Sequence, residues 1–192
     1  MTSPQDIAVL EKLTEVLENL HIAYCIGGSM ASSAYGIVRF TQDVDITVEP
    51  FERIAKKFYE TLKNDFYISE EAMNGALKSR SSFNIIHLNT AFKVDIFIRS
   101  ENEFQKQMLS RVRKLPLGSS NKMLSFVSPE DIILLKLDWF KQSDCTSQRQ
   151  WSDVQGVLIG QTKTLDFDYL KSWAKKLGLN ELLTKAISES QT

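Results

Sequence analysis

The residues best suited to chemistry fall within positions 24–49, which read YCIGGSMASSAYGIVRFTQDVDITVE. Asp43 and Asp45 flank a valine in a run with strand character. Strand side chains alternate faces, so both carboxylates point one way while Val44, Ile46 and Val48 point the other. The same arithmetic over residues 92–98 sets Phe92, Val94, Ile96 and Ile98 on one face and Asp95 on the opposite one. If the two strands are neighbours, three carboxylates converge. Like charges a few ångströms apart repel, so such a group calls for cations. Hard oxygen ligands suit Mg²⁺, and two ions sharing carboxylates suit an in-line displacement at phosphorus.

Two adjacent glycines in a chain that holds eight fit the same chemistry. Without Cβ atoms, Gly27 and Gly28 let backbone amides come close to a polyphosphate. A helix starting near Ser29 adds its positive dipole end. Ser29 can donate its hydroxyl to a phosphate oxygen, and Arg39 can cover phosphate or the pocket rim.

The elements that must position these groups follow from the pattern. Ser3, Pro4 and Asp6 start an amphipathic helix whose apolar positions run from Ile7 to Leu20. A buried strand over 22–26, a small-residue helix over 29–35 and a second strand over 44–48 come next, and Pro50 opens a helix to about Leu62. Residues 66–68 read as a short strand and 70–77 as a helical turn or two. Residues 83–88 and 92–98, joined by Asn89, Thr90 and Ala91, read as a hairpin. A helix over about 101–109 and short strands at 112–115 and 123–127 close this half. From Ser128 only helical periodicity remains, broken at 142–147 and 160–164. The expected domains are 1–127, an α/β core, and 128–192, a helical subdomain.

A 192-residue chain with 43% hydrophobic and 24% charged residues has the balance of a globular protein. No apolar run is long enough for a membrane span, and the first residues read as neither signal peptide nor lipidation site, so the expectation is a cytoplasmic protein. Cys25 and Cys145 lack metal spacing and read as reduced structural thiols. A net charge of −1 gives no global footprint for nucleic acid.

Gly27, Gly28 and Ser29, then Arg39, Thr41, Asp43 and Asp45, with Asp95 in a later KVDIF strand, together resemble the pattern of the nucleotidyltransferase superfamily, the polymerase β-like fold. The R-x-T-x-D-x-D-I form is similar to the AbiEii-like and minimal bacterial nucleotidyltransferases. The likeness extends more loosely to Lys136 in EDIILLKLDWF and to Arg149, Trp151 and Asp153 in RQWSDVQGVL. It implies an α+β fold, a mixed sheet flanked by helices with a helical C-terminal part. It also implies that Asp43, Asp45 and Asp95 bind two Mg²⁺ ions and carry the catalysis. Gly27, Gly28, Ser29, Arg39, Thr41, Lys136 and Asp153 would serve the nucleoside triphosphate. The acceptor hydroxyl could belong to RNA such as a tRNA end, to a protein or to a small molecule, and a toxin–antitoxin role with a cognate partner protein is open. The rival from another class is a nucleotide-binding or regulatory module without turnover.

Several residues carry blander readings beside these. Lys136, among Leu134, Leu135 and Leu137, reads equally as a snorkelling lysine. Arg149 and Asp153, one turn apart, read equally as a surface pair. Trp139, Trp151 and Trp173 read as packing residues, and His21 and His87 as structural or surface groups. The stretch from Lys106 through Arg111, Arg113 and Lys114 to Lys122 is free of acidic residues; it reads as a solvated face or as an RNA-facing patch.

Overall fold

The computed structural model describes residues 3–39, 41, 43–118 and 122–190. The chain forms two compact units, one of Met1–Gly27 with Phe40–Phe126 and one of Gly28–Arg39 with Val127–Thr192.

The first unit opens with α1 (Pro4–Asn19), whose start is a capping box: Asp6 N–H donates to Ser3 Oγ at 3.1 Å and Ser3 N–H to Asp6 Oδ2 at 3.2 Å. The helix ends in a left-handed residue, His21 at φ 55°, with Ile22 N–H donating to Leu17 O and His21 N–H to Glu18 O. That turn uses up residues 21 and 22, so the strand expected from Ile22 begins only at Tyr24, as β1 (Tyr24–Ile26). After α2 (Gly28–Tyr35), which belongs to the other unit, come β2 (Asp43–Val48), α3 (Ala55–Leu62), β3 (Phe66–Ile68), α4 (Glu70–Ser79), β4 (Ser82–His87), β5 (Lys93–Ile98), α5 (Glu103–Ser110), β6 (Arg113–Pro116) and β7 (Met123–Phe126). The helix expected from Pro50 is split. A 3₁₀ turn, Glu52–Ile54, precedes α3. The buried Phe51 ring packs on Phe58 at 4.9 Å and fixes the chain there before the α-helix can begin.

The strands form one mixed sheet in the order β3-β4-β5-β2-β1-β7-β6. The β2–β5 and β1–β7 pairs are parallel and the others antiparallel. Val44, Ile46 and Val48 of β2 and Val94 and Ile96 of β5 are fully buried or nearly so, as are Leu10, Leu13 and Leu17 of α1. Burying one large aliphatic side chain stabilises by about 1.5–3 kcal/mol, so this apolar face fixes the strand register. A slip of one residue would turn these side chains outward.

The second unit joins α2 to α6 (Pro129–Gln142), α7 (Gln148–Gln161), α8 (Phe167–Lys176) and α9 (Asn180–Ser190). Ser128 caps α6, accepting from Asp131 N–H at 3.1 Å. The buried Asp131 carboxylate accepts from Ser128 Oγ at 2.8 Å and from the Tyr169 hydroxyl at 2.7 Å, tying α6 to α8. The segment after α2 runs against α7 with no room for a side chain. A Cβ on Gly36 would lie 2.6 Å from the carbonyl carbon of Gly156, and one on Gly160 would lie 2.4 Å from the Tyr35 carbonyl oxygen. Among the described residues no helix is long and apolar enough to cross a membrane.

Candidate functional site

The strand arithmetic for the carboxylates is met in the first unit. β2 and β5 lie side by side and in register, with Asp43 opposite Lys93, Val44 opposite Val94 and Asp45 opposite Asp95. Asp43, Asp45, Lys93 and Asp95 therefore share the face opposite the buried valines and isoleucines. Asp43 is exposed, while Asp45 and Asp95 are half-buried. The buried Thr41 steers the first of them: its hydroxyl donates to the Asp43 carbonyl at 2.9 Å and lies 3.3 Å from Asp43 Oδ1. Gly27, at the end of β1, donates its N–H to the Asp45 carbonyl at 2.8 Å, which carries the row of paired backbone across three strands.

Lys93 was named by no chemical pattern in the sequence, yet its ammonium sits among these carboxylates. Nζ donates to Asp95 Oδ2 at 2.8 Å. That bond first, and then the charges of Asp95, Asp43 and Asp45, hold the lysine above the ordinary ammonium range against the opposing effect of burial. The signal was present: Lys93 precedes Asp95 by two residues, so period two sets them on one face. Among the described residues no three His, Cys, Asp or Glu side chains stand together as a ready metal-ligand group. The donor set itself suits a divalent cation, since three carboxylates share one face and Asp45 and Asp95 are direct cross-strand neighbours.

The second unit gathers the other expected residues. Asp153 on α7 is buried and accepts a bidentate pair from Arg39, Nε to Oδ1 at 2.9 Å and an NH₂ nitrogen to Oδ2 at 2.9 Å. Lys136 of α6 reaches the same carboxylate, Nζ to Oδ2 at 2.8 Å. Ser29, in the first turn of α2, has its hydroxyl oxygen bonded by Arg39 and, at 3.0 Å, by Arg149. Burial alone would raise the Asp153 carboxyl; the bonds from Arg39 and Lys136 outweigh it and hold the group below its usual range. Gly28, the first residue of α2, takes φ 54°, a left-handed conformation that glycine adopts without strain. Three cationic side chains thus surround one carboxylate and one hydroxyl, an arrangement suited to an anion with several oxygens.

The looser readings resolve individually. Lys136 does not snorkel: its side chain is 7% exposed and bonded to Asp153. Arg149 and Asp153 are not a surface pair, because Asp153 faces Arg39 and Lys136 while Arg149 bonds Ser29. Trp139, expected to pack, is 56% exposed. It shares with Asp138 and Gln142 the side of α6 away from the buried stripe of Ile132, Ile133, Lys136, Leu137 and Phe140. Trp151 packs on Phe140 at 4.9 Å and Trp173 lies 6.3 Å from the Tyr169 ring. His87 packs edge-on to Phe66 and shares a hydrogen bond with Thr90. In the basic stretch, Lys106 pairs with Glu101 at 3.1 Å and Lys114 with Glu18 at 3.6 Å. Of the two cysteines, Cys25 is buried and Cys145 is exposed, so only the first is a core residue.

No protein-family model matches the sequence, and no curated protein matches it. Solved structures do. The chain is similar to an antigenic nucleotidyltransferase-like protein from Paracoccidioides brasiliensis at a TM-score of 0.56 and 16% identity, over 98% of this chain and 94% of that one. It is similar to the antibiotic-resistance factor ANT(2'')-Ia at a TM-score of 0.56 and 16% identity, over 100% of this chain and 97% of that one. At such identities the likeness speaks to architecture, and the mixed sheet with its trailing helices agrees with it: this chain has the fold of the nucleotidyltransferase superfamily.

Proposed function

We propose that the protein is a Mg²⁺-dependent nucleotidyltransferase that moves a nucleoside monophosphate from a nucleoside triphosphate to an acceptor hydroxyl and releases pyrophosphate. The observation that carries this reading is the register of β2 and β5, which pairs Asp45 with Asp95 and leaves Asp43 on the same face, in a chain with the nucleotidyltransferase fold.

Asp43, Asp45 and Asp95 would hold the metal, with Thr41 fixing the first. When bound, divalent cations neutralise the triphosphate and support an in-line displacement at the α-phosphorus. Asp95 accepts the proton of the acceptor hydroxyl as its oxygen attacks phosphorus and the bond to the departing pyrophosphate breaks. Ser29, Arg39 and Lys136, with Gly27 and Gly28 at the turn into α2, take the phosphates, and Asp153 keeps Arg39 and Lys136 in place. Arg149 joins this group through Ser29. RNA, protein and small molecules are the acceptor classes to test; similarity to an antibiotic-resistance factor adds weight to the last. The narrower likeness to AbiEii-like enzymes, and with it a partner antitoxin, rests on the R-x-T-x-D-x-D-I run.

The test is transfer of label from each α-labelled nucleoside triphosphate, with Mg²⁺, to RNA, to protein and to a panel of hydroxyl-bearing small molecules. Label on one class, lost in the Asp43→Ala, Asp45→Ala double variant, supports the reading. Full transfer by that variant refutes it. The bond from Lys93 to Asp95 favours one alternative, a nucleotide-binding module without turnover. Mg²⁺-dependent thermal stabilisation by triphosphates without pyrophosphate release identifies that case.

A further inference from the structure

Lys93 stands at one corner of a four-residue plot on the exposed face of β2 and β5. Across the strand pair its partner is Asp43; two residues along its own strand is Asp95, whose partner is Asp45. The neighbours on the far side, on β4, are Ile86 opposite Lys93 and Asn84 opposite Asp95. Neither brings charge. The ammonium is thus set by the pleat itself among three carboxylates, and it bonds the one whose strand it shares.

An ammonium is a compact point charge on a flexible stem, able to leave one oxygen for water at little cost. Its side chain is 41% exposed, so the route to solvent is open. By contrast, a divalent cation needs the same Asp95 oxygens and carries twice the charge. The two cannot occupy that carboxylate together without repulsion.

We propose that Lys93 is a tethered counter-ion for the metal-free carboxylates and competes with the divalent metal for Asp95, so that metal binding proceeds by displacing its ammonium. This rests on the metal reading above. It predicts that the strand face is kept from self-repulsion without metal, at the expense of metal affinity. It also makes Lys93 a residue that tunes the metal concentration the protein responds to, without touching nucleotide.

The experiment is titration of the full-length protein with Mn²⁺ alone, followed by the electron paramagnetic resonance of free Mn²⁺ and by calorimetry. The proteins are wild type, Lys93→Met, Lys93→Gln, Lys93→Arg and, as a control for net charge, Lys106→Met. The expected result is a several-fold tighter Mn²⁺ dissociation constant for the Met and Gln variants and no tightening for Arg or for the control. The Met and Gln variants should also gain more in unfolding midpoint from Mn²⁺ than wild type does. Equal or weaker Mn²⁺ binding by both variants, or equal tightening by the Lys106 control, overturns the proposal while wild-type binding keeps the metal reading intact. Absence of Mn²⁺ binding in every protein, wild type included, removes both.

Discussion

The sheet unit collects negative charge on a pair of strands, and the helical unit collects positive charge on the segment that follows α2, on α6 and on α7. Each holds a group of the opposite sign inside the cluster: Lys93 among Asp43, Asp45 and Asp95, and Asp153 among Arg39, Lys136 and Arg149. The two minority groups differ in how firmly they are held. Asp153 is buried and bonded through both oxygens by a fork of guanidinium donors and by an ammonium, a charge-assisted geometry that is rigid and strong. Lys93 makes a single bond from a half-exposed stem. A fixed counter-ion shapes a cluster for a ligand, whereas an exchangeable one yields its place to a ligand.

The largest effect should come from breaking the anionic side of this comparison. Replacing Asp43 and Asp45 together by alanine is expected to abolish transfer of label. The chain should stay folded, because the change removes mutually repelling charge, exposed at Asp43 and half-buried at Asp45, rather than apolar packing; a collapse of the far-ultraviolet circular dichroism would contradict this.

Breaking the cationic side should cost stability instead. Asp153→Ala strips Arg39 and Lys136 of the carboxylate they share, and removing one partner of a buried ion pair costs about 3–5 kcal/mol. Urea unfolding of the full chain measures it. A loss below about 1 kcal/mol would mean that the pair is far better solvated than its burial indicates.

A smaller loss is expected at the helix contact that brings Arg39 to Asp153. Gly160→Ala forces a methyl to within 2.4 Å of the Tyr35 carbonyl, and overpacking of this kind costs about 1–3 kcal/mol. The segment carrying Arg39 must shift, so affinity for triphosphate, read by calorimetry, should weaken along with stability.

The pH dependence sharpens the same contrast. The native Asp153 carboxyl is depressed, so the unfolded chain binds its proton more readily. Stability from this group is present above the ordinary Asp pKa, about 3.9, and is lost as pH falls through the depressed native value. An Asp153→Asn variant should show a flatter acid limb than wild type below the ordinary Asp pKa. The smallest effect is that of Arg149→Ala, an exposed side chain whose loss should change stability by no more than about 0.5 kcal/mol while weakening triphosphate binding several-fold.

Strand periodicity made the carboxylate face legible, because alternation alone decides which side Asp43, Asp45 and Asp95 take. Their adjacency rested on a resemblance until β2 and β5 were seen in register, since parallel pairing of distant strands leaves no local mark. The helix starts at Ser3 and Ser128 were legible for the opposite reason: a cap is chemistry within three residues. What the sequence hid was long-range. Asp153 and Arg39 are separated by 114 positions, and nothing near either shows that α2 and its following residues pack with the C-terminal helices. The burial of Lys136 was equally hidden, because a lysine beside leucines has the same local pattern whether its head meets water or a carboxylate.

The route of the backbone has a consequence for dissection. The chain leaves the first unit at Gly27, returns at Phe40 and leaves again after Phe126, so the second unit is assembled from two separate stretches. A gene shortened after codon 126 would keep the seven described strands but leave α2 without α6 and α7, exposing Met30, Ala31 and Tyr35 that are buried in the whole protein. The expressed fragment should therefore be sticky and protease-sensitive at residues 28–39, and neither unit can be inherited, swapped or permuted as one continuous cassette.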